Sequence, residues 1–222
     1  MNALTIAANV VLALLLVTAD SNAPQSADTS AGTSKITKLP APQKQGGKPL
    51  MQCLNERKTS RSFSPEKLSR QQLSNLLWAA FGVNRPDGKR TAPSAMNMQE
   101  IDIYIATADG LYLYHASQHS LELIMAEDIR AATGGQPFVK DAPVNLVYVA
   151  DYSKMRGPDE SKAFYSAADT GFICQNVYLY CASEGLATVV RGWVDKDALA
   201  EKMNLPDDKK ITLTQTVGHP TE

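Results

Sequence analysis

The sequence predicts an α+β domain. Two strand-like runs fold back around Asp109-Gly110, a favoured hairpin turn. A long helical pattern runs from Phe164 to Glu184 and stops at Gly185, a residue suited to a helix C-terminus. The repeated strand–helix alternation of a parallel α/β sheet is missing.

Taken in order, Pro49 to Glu56 reads as a short helix that delivers Arg57 to a loop. Ser69-Arg-Gln-Gln72 has the form of a capping box, and LSNLLWAAF then repeats apolar residues at helical spacing up to Gly82. Asn84 to Thr91, with Pro86-Asp87-Gly88, is a polar loop. Ile101–Ala106, Leu111–His115 and Leu121–Met125 are strands, and Glu127–Thr133 suits a short helix ended by Gly134-Gly135. Val144 to Ala150 is a buried strand. The long helix is apolar over a broad arc, which places it in a core or at a subunit contact. Ala187–Val190 is a strand, Asp195 caps a helix reaching toward Asn204, and Ile211–Val217 is a last strand.

The 222 residues suffice for one domain with a tail, and 44% hydrophobic against 20% charged residues is a soluble, globular balance. A formal net charge of −1 provides no global attraction to nucleic acid, so no such partner is expected and any phosphate-binding charge must be local. Cys53, Cys174 and Cys181 form neither a metal-ligand spacing nor a disulfide framework. Cys174 and Cys181 are seven apart, on one face of a helix, and read as small buried residues.

Leu4 to Val17 is an apolar run too short for a membrane span but suited to a secretory signal, and small residues follow at Ala19 and Ala23. Residues 1–19 are read as a signal peptide and the protein as exported to the periplasm, although no Lys or Arg precedes Lys35. An uncleaved N-terminal anchor is the alternative. From Asp20 to Lys48 the polar, Pro- and Gly-containing composition reads as a flexible linker, leaving 49–222 as the domain.

Three segments carry candidate chemistry. Arg57-Lys-Thr-Ser-Arg61 places cations and hydroxyls close together, the donors a phosphate monoester takes. Pro93-Ser-Ala-Met-Asn-Met-Gln99 offers a hydroxyl and the amides of Asn97 and Gln99, suited to the edge of a heterocycle. Gly185 to Trp193 ends a helix, crosses the core, and presents Gly192, where backbone can approach a flat ligand.

Together these segments resemble the nitroreductase family of flavin enzymes. Arg57 to Phe63 is similar to its N-terminal Arg-x-Ser-x-Arg/Lys motif. Pro93 to Gln99 is similar to its Pro-Ser-Ser/Ala-x-Asn-x-Gln motif. Gln175-Asn176, Gly185-Leu186 and Val217-Gly-His-Pro220 follow in the family's order. The likeness spans Pro49 to Pro220 and leans toward the branch that contains thiazoline-type peptide oxidases.

The resemblance implies a mixed sheet flanked by helices, an intertwined homodimer, and FMN at the subunit interface. Arg57, Lys58 and Thr59 would meet the FMN phosphate and ribityl chain, and Arg61 the N1–O2 edge. Pro93, Ser94 and Ala95 would come from the partner subunit, with Asn97 steadying their turn. Val190, Arg191 and Gly192 would lie beside N5, and Gln136 would touch the ribityl or the ring. The implied activity is NAD(P)H-linked electron transfer to or from a small organic molecule, with no catalytic side chain required. The alternative is a non-catalytic flavin- or partner-binding module. A hydrolase is disfavoured, because no GxSxG turn exists and His115 and His119 read as surface residues at a hairpin end.

Overall fold

The computed structural model describes residues 36–221, so the segment read as a signal peptide lies outside the described residues. The chain forms β1 (Ile36–Lys38), α1 (Leu50–Glu56), α2 (Arg70–Phe81), β2 (Ile101–Thr107), β3 (Gly110–His115), β4 (Ser120–Met125), β5 (Val144–Asp151), α3 (Asp159–Glu184), β6 (Ala187–Arg191), α4 (Lys196–Lys202) and β7 (Lys209–Gly218). The strands make one sheet in the order β1-β4-β3-β2-β5-β7-β6. The class is α+β. Where the resemblance implies a mixed sheet, every strand pairing among the described residues is antiparallel. Short turns join β2, β3 and β4, and β7 returns against both β5 and β6.

All eight residues of β5 are buried, because the strand sits mid-sheet with a core on each face. Val144, Leu146 and Tyr148 pack with Leu76, Leu77 and Phe81 of α2 and Ile173 and Val177 of α3. On the other face Val147 and Val149 meet Leu199 of α4 and Ile129. Helix α2 begins where the sequence places it: Ser69 accepts from the Gln72 N–H and Gln72 reaches back to the Ser69 N–H. The β2–β3 turn is centred on Ala108-Asp109, with Gly110 at φ +144; a Cβ there would lie 2.5 Å from the Met125 carbonyl.

Three elements differ from expectation. Residues 36–48, assigned by composition to the flexible linker 20–48, are ordered: Ile36 pairs with Glu122 across β1 and β4, and the Gln43 N–H donates to Asn75 at 2.8 Å. Edge pairing, a tertiary effect, overrides their polar composition. Second, the helix expected over Glu127–Thr133 is only a 3-10 turn, Arg130–Thr133. The Asp128 carboxylate accepts from the Arg130 N–H at 3.0 Å and from its guanidinium, a local turn that competes with a helical start. Third, His115 and His119 are half-buried rather than surface residues. His119 bridges Ser74 Oγ at 2.7 Å and Tyr114 OH at 2.9 Å, while Ser74 donates to the Pro40 carbonyl at 2.6 Å, so this chain of bonds fastens residues 39–41 to the body.

Candidate functional site

Arg57 ends α1, its N–H bonded to the Cys53 carbonyl at 2.8 Å. From there the loop runs along β6, the last strand of the sheet, and is pinned at intervals. The Ser60 N–H donates to the Thr188 carbonyl at 3.0 Å, the Ser64 N–H to the His219 carbonyl at 2.8 Å, and Ser62 bonds Thr221. Tyr178 of α3 gathers the loop and the strand. The Arg57 guanidinium lies 5.1 Å from its ring centroid, its hydroxyl bonds Thr59 Oγ1 at 3.0 Å, and the Val190 N–H donates to the same hydroxyl at 3.1 Å. Three distant segments therefore converge at one phenol. Among the described residues no carboxylate pairs with Arg57, Lys58 or Arg61, and Lys58 and Arg61 are exposed. An uncompensated cluster of this kind attracts an anion.

Gly192 is exposed at the end of β6 and Trp193 is 73% exposed, its ring against Gly135. The Arg191 side chain turns away from this edge. It is 3% exposed and donates to the Thr133 carbonyl at 2.6 Å and Asn145 Oδ1 at 3.0 Å. Burial lowers its guanidinium to about 10. Gln136 Oε1 is buried without a hydrogen-bond donor, close to Gly134 and Arg191. Phe138, two residues on, packs on Phe63 at 5.3 Å, which ties this turn to the Arg57 loop.

The Pro93–Gln99 loop stands apart. Ala95–Asn97 form a 3-10 turn, and Met96, Asn97 and Gln99 all adopt left-handed backbone, with φ of 50, 55 and 50°. Each costs about 1 kcal/mol or more outside glycine and persists only where the surroundings enforce it. Several bonds do so. Ser94 Oγ accepts from the Gln99 N–H at 2.9 Å, the Asn97 N–H donates to the Ser94 carbonyl, and the Ala95 N–H donates to Asp169 of α3 at 2.8 Å. The Gln99 amide, expected from its sequence to read a ligand, is occupied inside the loop. It accepts from Arg90 Nε at 2.9 Å and donates to the Gly88 carbonyl and to Asn97. Ser94 and Ala95 remain half-exposed, and Pro93, Met96 and Asn97 exposed.

Within one chain, then, Arg57, Thr59 and Val190 are together, while Ser94–Asn97 dock on α3 nine residues before Tyr178. Nine residues span about 13 Å and two and a half turns, which puts the two groups on opposite sides of the helix. A cleft of about 570 Å³ touches Lys58, Ser60, Tyr178 and Thr188, but not Ser94 or Gly192. A larger groove of about 660 Å³, between β1, the start of α2 and the β2–β3 turn, contains none of the expected site residues. Sequence patterns single out the cationic loop and the strained loop. They miss Tyr178, hidden in the apolar arc of α3, and Asp169, whose role exists only through tertiary contact.

The model of the Nitroreductase family matches residues 54–219. A Methanocaldococcus jannaschii protein assigned as a nitroreductase is 32% identical over 154 residues, covering 64% of this chain and 78% of its own. The FMN reductase (NAD(P)H) of Bacillus subtilis is 22% identical over 188 residues, covering 78% of this chain and 66% of its own. A crystal structure of a Ralstonia eutropha protein assigned as a nitroreductase is 46% identical with a TM-score of 0.81, covering 87% of this chain and 93% of that one. The chain belongs to the nitroreductase family, a family of oxidoreductases.

Proposed function

We propose that the protein is an FMN-dependent oxidoreductase that works as a homodimer. The observation that carries this reading is the cationic loop along β6: Arg57 lies over the Tyr178 ring, Lys58 and Arg61 are exposed, and none of the three has an acidic partner among the described residues. Their chemistry fits a phosphate-bearing cofactor, and the FMN reductase among the relatives supports the choice. Bound FMN would supply two-electron chemistry at its N5 atom.

In this reading Arg57 holds the phosphate, with Lys58 and Thr59 beside it, and Arg61 stabilises negative charge at the N1–O2 edge of the ring. The backbone of Val190, Arg191 and Gly192 lines the N5 side, and Gln136 supports the ribityl. Pro93, Ser94, Ala95 and Asn97 are contributed by the partner chain. A dimer is supported by the outer face of α3, where Phe164 is 69% and Phe172 50% exposed, with Ala167, Ala168 and Gly171 open between them. Monomers rarely leave such a stripe uncovered. Residues 1–19 would direct export to the periplasm, and NAD(P)H would be the donor for a small organic acceptor.

An absorbance spectrum of the purified protein, before and after adding NADH or NADPH without air, tests the reading. Flavin bands that bleach with either nucleotide are expected. A protein that neither carries nor takes up FMN refutes it. Flavin that binds but never bleaches with any donor would favour a passive binding module.

A further inference from the structure

Residues 95 and 100 bracket the strained backbone of 96–99. Both ends lead to one place. Ala95 donates its N–H to Asp169 Oδ2 at 2.8 Å, and Asp169 is 3% exposed on the inner face of α3. Glu100 is fully buried, and neither of its carboxyl oxygens has a hydrogen-bond partner among the described residues. The groups beside its carboxyl are its own backbone N–H and the Asp169 carboxyl. Glu100 is also fixed through its backbone, whose carbonyl accepts from the Asp151 N–H at 2.9 Å.

Two ionised carboxylates facing one another are strongly disfavoured in a buried site, even with the Ala95 N–H donating to Asp169. One proton between them removes the repulsion and creates a charge-assisted O–H···O bond. We propose that Glu100 and Asp169 hold one proton between them and that this buried pair is the positioning device of the Pro93–Gln99 loop. The link then runs from the Ala95 N–H to Asp169, through the shared proton, to Glu100, and closes both ends of the strained segment on α3.

The charged groups around the pair agree with this. Burial, reinforced by the Asp169 carboxyl, raises Glu100 to about 7. Asp169 faces it from α3. The Lys154 ammonium, from the turn after β5, acts on it in the opposite sense, but that ammonium bonds Asp102 at 3.0 Å and lies 3.5 Å from Asp151. Removal of the proton places like charges at the two ends of the loop and loosens Ser94, Ala95 and Asn97 together. The consequence for cofactor binding rests on the flavin reading above; the shared proton does not.

Glu100→Gln keeps a neutral donor toward Asp169, whereas Glu100→Leu keeps bulk and removes the donor. Infrared spectroscopy of the full chain is expected to show a protonated-carboxyl band at neutral pH that titrates near 7 and is missing from Glu100→Gln. The FMN dissociation constant of the wild type is expected to rise with pH, by up to about tenfold per unit above about pH 7. It should stay flat for Glu100→Gln and be weakened at every pH for Glu100→Leu. A wild type without that band, or a wild type and Glu100→Gln with the same pH dependence, overturns the proposal. If no form binds FMN, the flavin reading fails, and the infrared band with the pH dependence of thermal unfolding still decides the shared proton.

Discussion

Replacing Arg57 with Ala separates phosphate recognition from structural support. The Arg57 guanidinium makes no ion pair among the described residues, and its side chain lies 5.1 Å from the Tyr178 ring centroid. Its removal strands no buried carboxylate, and the lost cation–π contact costs about 0.5–1 kcal/mol. A charge-assisted bond to phosphate is worth about 1.5–3 kcal/mol, so the FMN dissociation constant should rise roughly 10- to 100-fold. Riboflavin, which lacks the phosphate, serves as the control ligand: its affinity should be nearly unchanged by the substitution. Arg57→Lys should fall between, because it keeps the charge but loses the planar fork. Quenching of flavin fluorescence measures all six affinities, and urea unfolding checks the fold. Equal losses for FMN and riboflavin, or unaltered FMN binding, would refute the phosphate assignment.

Other expectations follow from buried polar groups and from the open face of α3. Tyr148 donates to Gln215 Oε1 at 2.7 Å in a network that also holds Thr188 of β6, so Tyr148→Phe leaves a buried acceptor unpaired and should cost about 1–3 kcal/mol in urea unfolding. No loss would mean the network is not needed to fix the edge strand. The Glu100 carboxyl sits at about 7 in the folded chain against the ordinary 4.5. The native state therefore holds a proton that the unfolded chain has released between those values. Stability should fall as pH rises from about 4.5 to about 7, by up to roughly 3 kcal/mol, and level off above. Subtracting the pH profile of Glu100→Gln isolates this contribution, and a difference of the opposite sign would contradict it. At Gly171 a Cβ meets nothing within 4 Å, so Gly171→Glu should leave the chain folded yet shift the proposed dimer to monomer in light scattering. A variant that stays dimeric would move the interface off α3.

What the sequence reveals here is mostly what is decided locally. The Ser69–Gln72 capping box is complete within four residues, and Gly185 at φ +70 closes α3 where the pattern ends. Strand β1 has no such local signature: Ile36-Thr-Lys38 becomes a strand because β4 offers it an edge. The same division holds in the site. Arg57, Thr59 and Arg61 are legible as a cationic, hydroxyl-bearing cluster. Tyr178 reads as one more apolar position of a helix, although its hydroxyl joins the Arg57 loop to β6. Glu100 reads as a polar residue ahead of a strand, and only the fold sets it against Asp169.

The separation of the two loops on α3 bears on how the proposed dimer must be built. A two-fold pairing sets residue i of one chain against j of the other, and j against i. If two α3 helices cross about an axis near Ile173, midway between Asp169 and Tyr178, each chain's Ser94–Asn97 loop is carried toward its partner's Arg57–Thr59 cluster. Gly171 and Phe172, exposed beside that midpoint, would then lie at the crossing itself. The two groups that one chain keeps on opposite sides of a helix become neighbours through symmetry alone, and both sites form at once. For that reason flavin affinity and dimerisation should be lost together in Gly171→Glu, whereas Arg57→Ala should lose FMN and remain a dimer.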